Sequence, residues 1–171
     1  MLRALLRYWR TIRRLKTRQI YMRLWRALYS PHISIRQAPV MRKLSGWCVP
    51  IAGPARMINA ETFDFLNCSG DLCLVGWSGS QRNALWRYHQ HYFDDLTAEG
   101  AAKRMSWHRA LIRTWISQNS PKTGVGWDPY PTSCRVVNWI KWDLSWGGID
   151  AEMRTSLATQ IAWLSRRVEY H

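Results

Sequence analysis

The stretch from Trp127 to Trp142, WDPYPTSCRVVNWIKW, constrains the fold more than any other part of the chain. Pro129 and Pro131 each fix their own φ at about −65° and push the preceding residue out of the helical region. The residues before the prolines, Asp128 and Tyr130, are therefore predicted to be extended. The sequence thus predicts a stiff turn at this point, with a helix after it.

The helix after this turn, which Thr132 or Ser133 can cap, is apolar on most of its sides. Such a pattern is typical of a helix that is enclosed by other protein. One polar stripe interrupts the pattern at helical spacing, and its members are Arg135, Asn138, Lys141 or Trp142, and Ser145. Polar groups on an enclosed helix must either be hydrogen-bonded inside the protein or face a cleft. Both alternatives remain open, and the second makes Arg135 and Asn138 candidate ligand-binding residues.

The positive charge of the chain is concentrated in its first third. The chain has 171 residues, 47% of them apolar, which is enough for one domain with a core, and its formal net charge is +14. Residues 1–60 contain 13 of the 25 Lys and Arg residues and no acidic residue, whereas residues 61–171 contain 12 basic and 11 acidic residues. This charge predicts an acidic partner for the N-terminal third.

The first 30 residues predict two basic amphipathic helices. Residues 2–16 repeat leucine, tryptophan and isoleucine at helical spacing with arginine on the other face, and Thr17 can cap a second helix that ends near Tyr29. Arginine interrupts every apolar run, so we expect neither a secretory signal nor a membrane-spanning segment. These helices either form a hairpin docked on the domain or bind an anionic surface.

The region 31–80 is predicted to be an irregular connection followed by a hairpin. Prolines and glycines punctuate residues 31–59, while residues 61–77 alternate apolar and polar side chains around Asn67-Cys68-Ser69-Gly70. The four cysteines match no zinc pattern, and we expect them to be buried free thiols. The twelve tryptophans suit either core packing or stacking on sugars and bases.

The region 81–171 is predicted to be helical, with helices at about 84–96, 99–118 and 149–171 in addition to the one after Pro131. Asn83 or a nearby residue is expected to begin the first of these helices. His89 and His91 are two residues apart, so on one helix they point to opposite sides and make a poor metal pair. His91 and Asp95 are better spaced, because a carboxylate four residues on could orient the imidazole. A structural contact and a catalytic one both remain possible for this pair. We expect no metal site and no cofactor.

Four segments resemble the N-terminal domain of heparinase II/III-type polysaccharide lyases, and together they span much of the chain. They are LWRYHQHYFDDL (85–96), SWHRALIRTWI (106–116), GWDPYPTSCRVVNWIKW (126–142) and IAWLSRRVEYH (161–171). The resemblance implies a mainly α fold, an incomplete (α/α) toroid of antiparallel helix pairs with a short β-hairpin. It also implies β-elimination of uronate-containing glycans. His89 and Gln90 depart from the family, in which Asn and Leu are common at these positions.

The resemblance further implies a glycan groove that this chain lines in part. The substrate-binding candidates are Arg135, Asn138, Trp127, Tyr130, His91 and Tyr92, and arginine beside aromatic rings suits carboxylated sugars. Family members carry a Gly-Asn-His segment just after the position that matches His171, and a proton-transferring Tyr and His beyond it. We therefore expect an N-terminal part of such a lyase that binds acidic polysaccharide and contains no catalytic residue. A separately encoded C-terminal part is an expected partner.

Two other classes of function compete with this interpretation. A non-catalytic module that binds an acidic glycan or an anionic membrane surface needs only the basic helices and the aromatic groups. Nucleic-acid binding has the charge in its favour but no recognised motif, and we do not expect it. With no signal or membrane segment in the sequence a cytoplasmic protein is expected, whereas the resemblance implies the periplasm or cell envelope.

The isolated 171-residue chain is expected to show no lyase activity. Elimination needs a base for the proton next to the carboxylate, an acid for the leaving oxygen and a group that stabilises the developing enolate. The measurement is the absorbance of unsaturated uronate products formed from heparan sulfate or alginate by pure protein. Product formation that is abolished by changing His91 or Tyr92 would contradict the expectation.

Overall fold

The computed structural model describes residues 16–18, 21, 38–40, 44–79 and 81–167. The chain divides into two compact units, one formed by Met1–Ile33 with Glu169–His171 and the other by Ser34–Val168. Almost all of the first unit lies outside the described residues, and so do the two predicted basic helices of residues 1–30. The architecture below is that of the second unit.

The second unit is mainly helical and contains one two-stranded antiparallel hairpin, as the sequence predicts. Its elements are β1 (Thr62–Phe65), β2 (Cys68–Asp71), α1 (Leu72–Val75), α2 (Ala84–Gln90), α3 (Met105–Gln118), α4 (Pro129–Trp146) and α5 (Ala151–Ser165). Short 3-10 turns lie at Asp94–Thr97, Ala101–Arg104 and Val125–Trp127. Within the described part of the chain, no helix is both long and apolar enough to cross a membrane.

The hairpin turns two residues earlier than the sequence pattern indicates. Phe65 pairs with Cys68, and the two residues between them, Leu66 and Asn67, both have φ of 58°. Positive φ at both central residues is the two-residue turn whose twist matches antiparallel strands. After β2 the predicted strand is wrong, because the side chain of Asp71 accepts a hydrogen bond from the backbone N–H of Cys73 and begins the short helix α1.

The cysteines are free, as expected, but they are not buried. Cys48, Cys68 and Cys73 are exposed and Cys134 is half-buried. Cys68 begins β2 beside the hairpin turn, and Cys73 lies on α1, which has no buried residue. The burial of a cysteine side chain depends on where its element lies in the fold, and these elements lie at the edge.

The helix α4 begins earlier than predicted, at Pro129. Asp128 is extended, as expected, but Tyr130 lies inside the helix. The N–H groups of a first helical turn have no intrahelical partner, so prolines fit there and the restriction on the residue before Pro131 is overcome. The predicted caps are also wrong, since Thr132 and Ser133 lie within the helix and the hydroxyl of Thr132 donates to the carbonyl of Gly126.

The enclosure of α4 is only partial among the described residues. Trp139 and Trp142 are fully buried, whereas Val137 is 47% exposed and Ile140 is 37% exposed. Helix α5, which is shorter than predicted, follows a tight turn at Gly147 with φ of 63°. Because Arg135 lies opposite Gln160 and the carbonyl of Trp127 accepts from Trp163, α4 and α5 run antiparallel.

Helix α2 is capped by the side chain of Asn83, as predicted, but it ends at Gln90 instead of continuing to Leu96. Phe93 adopts a left-handed conformation with φ of 61°, which turns the chain before the 3-10 turn at Asp94–Thr97. The helical spacing of His91 and Asp95 is thereby lost, so the predicted contact between them is wrong.

The partner of Asp95 is His108, which lies on α3, and the carboxylate is a buried anchor. It accepts hydrogen bonds from His108 Nε2 at 2.8 Å and Arg104 Nε at 2.8 Å. The backbone N–H groups of Arg56 and Met57 also donate to it. Burial alone would raise the pKa of Asp95, but the donors hold this pKa well below its ordinary range. Asp95 therefore fixes the 3-10 turn against both α3 and the segment before β1.

Candidate functional site

Arg135 takes the first of the two alternatives that the sequence left open, because it is fully buried and hydrogen-bonded inside the protein. Its Nε donates to Gln160 Oε1 at 2.7 Å, and its Nη1 donates to the carbonyl of Gly126 at 2.8 Å and more weakly to that of His91 at 3.4 Å. The guanidinium carbon lies 3.8 Å from the ring centroid of Trp115. Burial lowers the pKa of Arg135, and no described carboxylate forms an ion pair with it.

His91 is also an interior residue. Its Nδ1 accepts a hydrogen bond from Trp115 Nε1 at 3.0 Å, and its Nε2 lies 3.1 Å from the carbonyl of Trp77. These contacts are consistent with a neutral ring that carries its proton on Nε2. Burial, reinforced by the charge of Arg135, lowers the pKa of His91 to about 3.

Trp127 completes the buried group of predicted binding residues. Its indole N–H donates to the carbonyl of Asn119, and its own carbonyl accepts from Trp163. As the chain is described here, the side chains of Arg135, His91 and Trp127 do not reach solvent. Three of the six predicted site residues are therefore interior. Of the other three only Tyr130 is largely exposed, since Tyr92 is 6% and Asn138 is 8% exposed.

The other three predicted residues, Tyr130, Tyr92 and Asn138, lie together. Tyr130 is 61% exposed, and its ring stands edge-on to that of Tyr92 with 5.6 Å between the centroids. Asn138 Nδ2 donates to the carbonyl of Tyr92 and to Asp94 Oδ1, both at 2.9 Å. We call this region the tyrosine surface, and its members are Tyr88, His89, Tyr92, Asp94, Asp128, Tyr130 and Asn138.

Two carboxylates belong to the tyrosine surface, and both are held by neighbouring side chains. Asp94, whose side chain is 41% exposed, has Oδ2 at 3.8 Å from His89 Nδ1. Asp128 accepts a hydrogen bond from the Tyr88 hydroxyl at 2.9 Å, and this bond, more than burial, raises the pKa of Tyr88. These groups can accept hydrogen bonds from a bound ligand without first reorganising.

The phenol of Tyr92 is protonated at neutral pH. Burial raises its pKa to about 12, with further contributions from Tyr130, Cys134 and Asp94. Its ring lies 4.8 Å from the imidazole of His89, so aromatic groups form a continuous row from His89 through Tyr92 to Tyr130. Only Tyr130 in this row is largely exposed, because Tyr92 is buried and His89 is half-buried, so a ligand meets chiefly the ring of Tyr130. The phenol of Tyr92, being protonated, is not available as a base at neutral pH.

Sequence reasoning missed Tyr88, His89, Asp94 and Asp128 as members of the site. Tyr88 and Tyr92 are four residues apart, which is a helical pairing signal that could have been used. Asp94 joins them only because Phe93 turns the chain, and nothing in the local pattern indicates that turn. The predicted divergence of His89 and His91 is observed, with His89 at the surface and His91 in the core.

Two other features of the described residues offer less chemistry. A cavity of about 220 Å³ lies between residues 49–52, residues 97–102 and the end of α4, and its lining is mainly apolar. Near β2, ligand atoms of Glu61, Asp71 and Cys73 lie within 4.8 Å of one another, but Cys73 donates its thiol proton to Glu61 and the group is largely exposed. Neither feature shares a residue with the tyrosine surface.

Comparisons with protein-family models, with characterised proteins and with solved structures gave no match. A function for the tyrosine surface therefore rests on its geometry and on the sequence motifs that form it.

Replacing Arg135 by alanine is expected to destabilise the protein as much as a core substitution. The change leaves Gln160 Oε1 unpaired in the interior, takes away one of the two donors to the carbonyl of Gly126 and removes the packing on Trp115. The expected cost is about 3 kcal/mol or more. Urea unfolding should give a loss similar to that of Trp139→Ala. The control is Arg113→Ala, whose side chain lies on the exposed face of α3, and loss of its surface ion pair should cost less than about 1 kcal/mol. An Arg135→Ala loss as small as that of the control would contradict the buried placement.

Stability is expected to fall in mild acid because of His91. The pKa of His91 is about 3 in the folded protein against an ordinary 6.5, so between these values the unfolded chain binds the extra proton. Its contribution to stability is complete above pH 6.5 and is lost as the pH falls towards 3. The free energy of unfolding, measured with urea at several pH values in this window, should change less steeply with pH for His91→Gln than for the original chain. Equal slopes would mean that His91 is not the buried neutral group.

Proposed function

We propose that the tyrosine surface binds a glycan, and that this chain supplies scaffold and part of the glycan groove of a heparinase II/III-like polysaccharide lyase. The observation that supports the proposal most is the exposed ring of Tyr130, which stands beside Tyr92 on a surface that also carries the anchored carboxylates of Asp94 and Asp128. The motifs that resemble the lyase family contribute the members of this surface.

The surface has the two properties that sugar binding requires. An aromatic ring packs against the C–H groups on one face of a sugar, which is an apolar contact of fixed orientation. The carboxylates of Asp94 and Asp128 on the same surface can accept hydrogen bonds from sugar hydroxyls, whereas the N–H groups of Asn138 are already used inside the protein. Because Asn138 and Tyr88 hold Asp94 and Asp128 in place, the ordering cost of binding is small.

The convergence of the motifs supports the family assignment within this proposal. The segment at 85–96 contributes Tyr88, His89, Tyr92 and Asp94, whereas the segment at 126–142 contributes Asp128, Tyr130 and Asn138. Residues separated by about 40 positions in the sequence thus meet at 2.9 Å, as between Tyr88 and Asp128. Two of the four segments that carry the resemblance thus contribute to one surface.

The architecture proposed with this function is an incomplete (α/α) toroid, with α4 and α5 as one antiparallel pair. The exposed apolar side chains of Val137 and Ile140 on α4 and Ile161 on α5 support the proposal, because further helices of a toroid would cover them. In that architecture the first turn of α4, which carries Tyr130, lies in the groove. The tyrosine surface is then the part of the groove that these residues build.

The proposal assigns binding and orientation to the tyrosine surface, and no proton transfer. His91 lies in the core with both ring nitrogens engaged, and the raised pKa of Tyr92 keeps its phenol protonated at neutral pH, so that it is not available as a general base. A surface of this kind lowers the entropic barrier for a reaction whose acid and base are supplied elsewhere.

The alternative proposal is a non-catalytic module for an acidic glycan or an anionic membrane surface. The observation in its favour is the charge of residues 1–60, which contain 13 basic residues and no acidic ones. This proposal predicts binding to anionic vesicles or to any polyanion that salt removes and that does not depend on Tyr130.

Replacing Tyr130 by alanine is expected to lower the affinity for oligosaccharides about tenfold, which corresponds to about 1.4 kcal/mol of lost stacking. Because the side chain is largely exposed, the free energy of unfolding should change by less than about 0.5 kcal/mol. Titration calorimetry with a panel of neutral and uronate oligosaccharides measures the affinity.

Tyr130→Phe and Ile161→Ala serve as matched controls for this experiment. The phenylalanine variant keeps the ring and should retain most of the affinity. The Ile161 variant removes an exposed apolar side chain on α5 and should bind normally. If Tyr130→Ala and the original chain bind the oligosaccharides with equal affinity, the tyrosine surface is not the glycan-binding site.

A further inference from the structure

The charge of the tyrosine surface is opposite to what uronate binding would require. The cation that the sequence offered for a sugar carboxylate, Arg135, is fully buried and its guanidinium is occupied by Gln160 and Gly126. The surface itself presents the carboxylates of Asp94 and Asp128. Neither forms an ion pair with a Lys or Arg residue among those described.

The cationic groups near this surface leave the carboxylates largely available. His89 Nδ1 lies 3.8 Å from Asp94 Oδ2, which is the outer limit of a contact. The charge of Arg87 acts on Tyr88, where it lowers the pKa slightly against the larger effects of Asp128 and burial. Asp94 uses Oδ1 to accept from Asn138, and Asp128 uses Oδ2 to accept from Tyr88. Each carboxylate therefore keeps lone pairs for a ligand.

A carboxylate accepts hydrogen bonds and cannot donate them, so it selects ligand groups that donate. Sugar hydroxyls and the N–H of an N-acetyl group are such donors. The charge of Asp94 and the phenol of Tyr130 both act on the phenol of Tyr92 and raise its pKa. A uronate stacked on Tyr130 would therefore bring its own carboxylate to a surface that already carries negative charge, and like charges repel.

We infer that the sugar residue that stacks on Tyr130 is uncharged, and that its hydroxyl or amide N–H groups donate to Asp94 and Asp128. This inference rests on the proposed glycan-binding function and specifies its ligand. In an acidic polysaccharide, the acidic residues then lie on either side of this position rather than on it. The tyrosine surface therefore selects polysaccharides in which uncharged sugar residues occur between the acidic ones.

The experiment compares two probes, the uncharged trisaccharide triacetylchitotriose and the fully charged trisaccharide trigalacturonate. Affinities are measured by titration calorimetry on the full chain, on Asp94→Asn and on Tyr130→Ala. The part of the binding that Tyr130→Ala removes defines the site, because the basic residues of the N-terminal third attract any anion equally in all variants. Glu152→Gln, which removes an exposed carboxylate on α5, is the charge-matched control.

The expected result is that the Tyr130-dependent affinity is higher for the uncharged trisaccharide. Asp94→Asn should raise the affinity for trigalacturonate about five- to tenfold, as loss of a nearby like charge predicts, and change that for triacetylchitotriose about twofold or less. The asparagine keeps an oxygen that can accept from Asn138, so the geometry is retained. Glu152→Gln should leave both affinities unchanged.

The outcomes separate this inference from the function on which it rests. If neither trisaccharide binds in a Tyr130-dependent way, the glycan-binding function fails and the inference fails with it. If trigalacturonate binds through Tyr130 as tightly as the uncharged probe, or if Asp94→Asn leaves the ratio of affinities unchanged, the function stands and the inference is overturned. Should Asp94→Asn not fold, Asp128→Asn gives the same readout with the same expected direction.

Discussion

The arrangement of the candidate site depends on the buried guanidinium of Arg135. A charge in the interior is tolerated only when its donors are paired, and here they are paired with groups on different elements. Arg135 lies on α4, and its Nε donates to Gln160 on α5. Its Nη1 donates to the carbonyl of Gly126, in the turn before α4, and more weakly to that of His91, the residue that ends α2. Its guanidinium plane lies over the ring of Trp115 on α3. Four helices are thereby fixed relative to one another. Tyr92 and Tyr130 meet because the end of α2 and the start of α4 are held by the same side chain.

The contacts around Arg135 leave little room for change. A side chain at Gly126 would place its Cβ 2.7 Å from the ring of His91, so only glycine allows this turn to approach the imidazole. Asp95 adds a second anchor from the other side, because its carboxylate binds α3 through His108 and the segment before β1 through backbone N–H groups. Asp94 begins the short 3-10 turn next to Asp95, and such a turn has few hydrogen bonds of its own to fix it. Its position therefore depends on the contacts of Asp95 and Asn138. The surface is therefore preorganised by the core beneath it.

The sequence predicted the elements well where a local signal decides the structure. Helical periodicity located α2 to α5, the side-chain oxygen of Asn83 gave the start of α2, and alternation gave the hairpin. The end of α2 could not be predicted, because the left-handed conformation of Phe93 is associated with its packing among Trp77, Trp115 and Trp139, which are distant in sequence. Whether the polar stripe on α4 is buried or faces a cleft could not be predicted either, because a buried hydrogen-bond network and a cleft use the same residue types. Tyr92, Tyr130 and Asn138 could be named as candidates from the sequence, whereas the positions of Asp94 and Asp128 beside them became apparent only in the fold.

The most direct measurement is an NMR titration of isotopically labelled chain with triacetylchitotriose. The account predicts that the largest amide shift changes fall on Tyr92, Asp94 and Tyr130, and that the sugar protons over the Tyr130 ring move upfield because of its ring current. Amides of the Arg135 network should shift little, since that network is already satisfied. Shift changes confined to the basic N-terminal third, or centred on the exposed face of α5, would contradict the account.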